Sequence, residues 1–157
     1  MTLDKEILMS TPDGRPAAWP HGAPEIGQRA ERSRRVTRRD IERFTAISGD
    51  ENPLHYDEEA ARASRFGEIV VQGGITSAIL NALVAHDLPG PGTVFLHVDW
   101  RFQAPVRPGD TITGSAEVLH VRHDKPITRL RTEVRRDDGT VVLTGEALCY
   151  TMALPRR

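Results

Sequence analysis

GGITSAILNALVAHDLPGPGTVFLHVDWRF, residues 73–102, contains the change of period on which the fold turns. In its first half Ile75, Ala78, Ile79, Ala82 and Leu83 fall at i, i+3, i+4, i+7 and i+8, the spacing of one helical face. Leu80 and Val84 carry apolar surface further round, which predicts a helix buried on most sides. It should end near His86, before the breaker run Pro89-Gly90-Pro91-Gly92. Beyond that run the period drops to two. Val94, Leu96, Val98, Trp100 and Phe102 alternate with Phe95, His97, Asp99 and Arg101, which predicts a strand with the first set on one face.

Downstream, Pro105 and the turn Arg107-Pro108-Gly109-Asp110 close that strand. Residues Thr111 to about His123 form the next expected strand, and Ile127–Arg136 another, with Leu130, Thr132 and Val134 on one face. Asp138-Gly139 is a hairpin signal, and a last strand should run from about Thr140 to Met152. Upstream, Thr37-x-x-Asp40 has the form of a capping box, followed by Ile41, Phe44 and Ile47 on a helix ending near Ser48-Gly49. Asp57 is a good N-cap for a short helix over 58–64, and residues 28–36 are a weaker candidate for a first strand. The order is strand, helices, one long buried helix, then four strands as a meander. That predicts an α+β domain, an antiparallel sheet with a helix on one face. Residues 1–22 hold Pro12, Gly14, Pro16, Pro20 and Gly22 without a sustained period and are expected to form an extended arm before a domain at 23–154.

A chain of 157 residues suits one core. With 38% hydrophobic and 27% charged residues and a net charge of −1, it is expected to be globular, with no general attraction to nucleic acid or to a membrane. Arg29, Arg32, Arg34, Arg35, Arg38 and Arg39 do cluster, either as a solvated edge or as a handle for an anionic substrate tail. Cys149 is the single cysteine, so no intrachain disulfide forms, and its apolar strand predicts a packed thiol. No apolar run reaches the ~20 residues of a membrane span. The N-terminus lacks a secretory pattern, so the expected location is cytoplasmic.

The chemistry is concentrated in Gly49-Asp50-Glu51-Asn52-Pro53-Leu54-His55. Pro53 disfavours helical geometry at Asn52, and Asn-Pro initiates turns. A sharp turn there could bring Asp50 to His55. A carboxylate and an imidazole facing one water make an acid/base pair, and histidine changes charge near neutral pH. Spacing alone leaves open a plainer alternative, a capping aspartate and a surface histidine.

The run from Phe44 to His55, followed by Ala60, resembles the signature of the MaoC-like dehydratase or R-specific enoyl-CoA hydratase family. The resemblance continues through Phe66-Gly67, Val70-Val71-Gln72-Gly73, the segment from Leu88 to Phe95, Trp100 to Val106, and Gly109-Asp110, and covers roughly residues 23–152. It implies the hot-dog fold, a curved antiparallel sheet wrapped around a long central helix. It implies reversible addition of water to a trans-2-enoyl thioester, giving an R 3-hydroxyacyl thioester. Asp50 and His55 would be the catalytic pair, with Asp50 activating the water. The Gly73 N–H would hold the thioester oxygen, where a helix N-terminus offers free donors and a positive dipole end. Asn52, Gln72, Gly74 and Asn81 are the implied substrate-binding positions. Many relatives have histidine where Gln72 stands, and some have serine where Asn81 stands. The implied substrate is a coenzyme A thioester, with an acyl carrier protein thioester as the variant, and the implied assembly is a homodimer. No metal or redox cofactor is expected, coenzyme A being part of the substrate. A thioesterase on the same fold and a non-catalytic acyl-CoA binder are the competing functions. His21, His86, His97, His120 and His123 are expected to be structural or solvent-facing, and Trp19 and Trp100 to be packing residues.

Overall fold

The computed structural model describes residue 19, residues 22–122 and residues 124–155. Most of the expected arm, and His21 and His123, lie outside the described residues. Five strands, β1 (Arg29–Arg35), β2 (Thr93–Phe102), β3 (Thr111–Val121), β4 (Ile127–Arg136) and β5 (Val141–Thr151), form one antiparallel sheet in the order β1-β3-β4-β5-β2. Helices α1 (Arg38–Ser48), α2 (Pro53–Tyr56) and α3 (Glu58–Ala63) precede the long helix α4 (Gly73–His86), which packs on the sheet. This is the hot-dog arrangement.

The two capping signals act as expected. The Asp40 carboxylate accepts the backbone N–H of Thr37 at 2.8 Å, closing the start of α1. The Asp57 carboxylate accepts the N–H groups of Glu59 and Ala60 and starts α3. Pro53 stands at the first position of α2, so the loop expected between two helices contains one helical turn of its own. Ile41 is buried but Ile47 is 84% exposed. Two steps of three residues leave Ile47 about 120° round the helix from Ile41, so the two do not share a face.

Helix α4 buries Ile75, Thr76, Ile79, Leu80, Leu83 and Val84 against the sheet. Each large apolar side chain so covered contributes about 1.5–3 kcal/mol relative to exposure. Ala78 is exposed and Ala82 half-buried, contrary to the expected face, because the sheet curves round one side of the helix only.

Two expectations about β2 need correction. It does not follow on to β3 in a four-stranded meander but pairs with β5 at the opposite edge. The connection between β2 and β3 crosses the end of the sheet: Gln103 N–H bonds Val142 O at one side, and Gly109 N–H bonds Val36 O at the other. Pro105 and Pro108 in that stretch remove two ladder donors, which suits a crossing rather than a hairpin. Nor does one parity of β2 face the core throughout. Phe95 pairs with Cys149 and His97 with Leu148, leaving Leu96 as a one-residue bulge. A single extra residue inverts the alternation. Phe95 and Trp100, of opposite parity, therefore meet edge-on with ring centres 5.5 Å apart.

Cys149 is fully buried, and burial pushes its thiol up to about 12, so it is a packed thiol at neutral pH. The Trp19 indole donates to Arg122 O at 3.3 Å and packs against the core cluster that contains Leu83, Leu88 and Leu130. His86, His97 and His120 are exposed.

Candidate active site

The loop between α1 and α2 is built from short-range bonds that its sequence supplies. Gly49 takes the left-handed conformation (φ 75°) that ends α1, and its N–H bonds Thr45 O. Ser48 Oγ accepts the Asp50 N–H at 3.1 Å, Asp50 Oδ1 accepts the Asn52 N–H at 3.1 Å, and Asn52 Oδ1 accepts the Leu54 N–H at 3.1 Å. The chain thus folds back sharply, and Asp50 Oδ2 lies 3.5 Å from His55 Nε2.

His55 Nδ1 donates to Val70 O at 2.6 Å. That bond fixes the tautomer: in the neutral ring the lone pair is on Nε2, facing Asp50. The imidazole is 10% exposed and the carboxylate 39%, so the histidine is set into the protein and the aspartate reaches it from the solvent side.

His55 lines a cleft of about 360 Å³ together with Phe66, Val70, Gly73, Thr76 and Phe102. Most of these side chains are apolar, which suits an acyl group. Gly73 is the first residue of α4, and the first-turn N–H groups of a helix have no intrahelical acceptor. A Cβ at Gly73 would lie 3.2 Å from the Phe102 ring, so the missing side chain keeps that part of the cleft open.

The other expected site positions separate. Asn52 is committed to the cap of α2. Gly74 does not line the cleft: a Cβ there would lie 2.1 Å from Phe44 Cζ, so this glycine makes room for the Phe44 ring. Asn81 is exposed on α4, eight residues and therefore about 12 Å beyond Gly73, and does not line the cleft. Gln72 is buried behind the cleft. Its Nε2 donates to Thr45 Oγ1 at 3.1 Å, and Thr45 Oγ1 donates to Asp50 O at 2.8 Å. Tyr56 Oη also hydrogen-bonds Thr45 Oγ1. The sequence assigns no site role to Thr45, Tyr56 or Val70, because they act through partners on other elements. Of the six clustered arginines none lines the cleft. Arg29, Arg32, Arg34 and Arg38 pair with Glu117, Asp87, Asp40 and Glu58, as expected of a solvated edge. Among the described residues no group of three or more His, Cys, Asp or Glu is placed to hold a metal ion, and no helix is long and apolar enough to cross a membrane.

Comparison with known proteins identifies the family and agrees with the fold. The model of the MaoC-like domain matches residues 21–139. The chain is 36% identical over 124 residues to an (R)-specific enoyl-CoA hydratase of Aeromonas caviae, covering 79% of this chain and 92% of that protein. It is 34% identical over 124 residues to a 3-hydroxybutyryl-CoA dehydratase of Methylorubrum extorquens, covering 79% and 78%. Among solved structures, the (R)-hydratase from A. caviae superposes with a TM-score of 0.77 at 35% identity, covering 82% of this chain and 97% of that one. With a family model over most of its length and relatives of this identity matched over more than three quarters of both chains, the chain belongs to the MaoC-like domain family.

Proposed function

We propose that the protein is a hydratase/dehydratase of acyl thioesters, adding water reversibly to a trans-2-enoyl-CoA to give a 3-hydroxyacyl-CoA. The observation that carries this reading is the 3.5 Å approach of Asp50 Oδ2 to His55 Nε2 at an apolar cleft that also holds the start of α4. The carboxylate and the imidazole lone pair are two proton acceptors within reach of one water. In hydration Asp50 takes a proton from that water as its oxygen bonds C3. The π electrons move toward the thioester oxygen, which the Gly73 N–H stabilises. A proton delivered from the same pair then bonds C2. Water is added whole and no electrons are lost, so the reaction as proposed needs no metal or redox cofactor. The names of the A. caviae and M. extorquens relatives, a hydratase and a dehydratase, describe the two directions of one such reaction, and the R configuration follows the former.

The test is incubation with enoyl-CoA thioesters of several chain lengths. Loss of the conjugated enone absorbance without release of free thiol is expected. Thiol release would mark a thioesterase instead. Binding without either signal across the panel would mark an accessory acyl-CoA binder.

We also infer a homodimer. Strand β2 is an edge strand with one hydrogen-bonded neighbour, and Val94, Leu96, Val98 and Phe102 on it are 38–56% exposed. A long apolar edge favours pairing with a second sheet. Sedimentation is expected to give twice the 17.4 kDa chain mass. A monomer at micromolar concentration would rule this out.

A further inference from the structure

The cleft does not end at the acid/base pair. Phe66 and Pro105, which line it, also line a second hollow of about 590 Å³ with Ser64, Arg65 and Arg107. The two spaces therefore share a wall, one lined by His55 and Gly73 and the other by Arg65 and Arg107.

Both arginines sit on turns that fix their backbones. Arg65 lies in the turn from Ser64 to Gly67, where Gly67 N–H bonds Ser64 O and Phe66 N–H bonds Ser64 Oγ. Arg107 opens the turn closed by Asp110, whose Oδ2 accepts the Arg107 N–H at 2.9 Å and whose N–H bonds Arg107 O. Arg65 makes no ion pair among the described residues. Arg107 Nε is 2.6 Å from Glu68 Oε1, yet this buried nitrogen has no acceptor in hydrogen-bond geometry. A guanidinium presents five N–H donors in a planar fork suited to phosphate. One bent contact to an exposed carboxylate leaves most of that capacity unused.

We propose that the hollow at Arg65 and Arg107 binds the phosphate groups of the coenzyme A moiety, while the pantetheine arm passes over Phe66 and Pro105 into the cleft. The proposal rests on the acyl-thioester reading for the identity of the ligand. It assigns the anionic tail to Arg65 and Arg107 in place of the arginine cluster at 29–39, four of whose members are paired with carboxylates and none of which lines the cleft. Glu68 becomes a competitor that the phosphate displaces from Arg107.

Binding of free coenzyme A, measured calorimetrically on the full chain, tests the site without requiring turnover. Loss of a charged hydrogen-bond partner is expected to weaken coenzyme A roughly tenfold or more in Arg65→Ala and in Arg107→Ala. Glu68→Gln should tighten it, an effect that general damage to the groove would not produce. Pantetheine, which lacks the phosphates, should bind more weakly than coenzyme A to the unsubstituted protein, and the difference should shrink in both arginine variants. Unchanged coenzyme A affinity in both arginine variants, no tightening in Glu68→Gln, or no preference for coenzyme A over pantetheine would overturn the proposal. So would binding of a holo acyl carrier protein by a chain that does not bind coenzyme A. Coenzyme A binding with the expected variant effects but no hydration of any enoyl thioester would sink the activity reading and leave this site standing.

Discussion

Asp50→Asn and His55→Ala are each expected to lower turnover of an enoyl-CoA by about 10²–10⁴-fold, the range that a positioned acid or base supplies. The folded structure should survive both. Asp50 is partly exposed, and its backbone carbonyl, not its carboxylate, is the group held by Thr45. The asparagine keeps an oxygen for the Asn52 N–H, so the loop retains its bonds while the carboxylate's basicity is gone. His55→Ala leaves Val70 O without its donor in a partly buried setting, which costs stability of about 1–3 kcal/mol but not the fold. Steady-state kinetics with a circular dichroism check separate the two effects. Near-normal turnover in both variants would remove the pair from the mechanism. Because the two residues handle one water, the double variant should lose little beyond the worse single one, as groups acting as a unit are not additive.

Gly145→Ala should be the most damaging single methyl in the sheet. Gly145 lies in β5 opposite Trp100 of β2, with φ 156°. A Cβ there would stand 1.8 Å from Asp99 O and 3.0 Å from Trp100 Cα, all backbone atoms that cannot rotate aside. Strand β2 would have to lift from β5. That would break the chain in which Trp100 Nε1 donates to Thr132 Oγ1 and Thr132 Oγ1 donates to Gly145 O. A cost of about 3 kcal/mol or more is expected, at the upper end of overpacking. The denaturation midpoint should fall, and hydration should fall with it, since Phe102 at the end of β2 walls the cleft. A midpoint equal to that of the unsubstituted protein would mean that β2 is not held this close to β5.

The acid/base pair and the cleft were legible to different degrees. Asp50 and His55 are five residues apart, and the groups that turn the chain between them, Ser48, Gly49, Asn52 and Pro53, are in the same short run. Their hydrogen bonds reach at most a few residues, so the turn is encoded where it forms. Gln72 was legible as a position but not as a role, because its partners Thr45 and Asp50 come from another helix and another loop. Asn81 and Gly74 were marked by resemblance, and in this chain they stand outside the cleft lining.

By itself the sequence determined most of the elements and their order along the chain: the helical period of 73–86, the alternating strands after Gly92, the caps at Asp40 and Asp57, and the turn that joins Asp50 to His55. Each depends on residues close together along the chain, where backbone preference and short hydrogen bonds act. Only the tertiary structure decided that β2 lies beside β5, that the bulge at Leu96 turns Phe95 and Trp100 to one side, and that Phe66 and Pro105 line one cleft. Those outcomes depend on which strand edges pair and on how the sheet closes round α4, and such contacts are set by packing between distant segments.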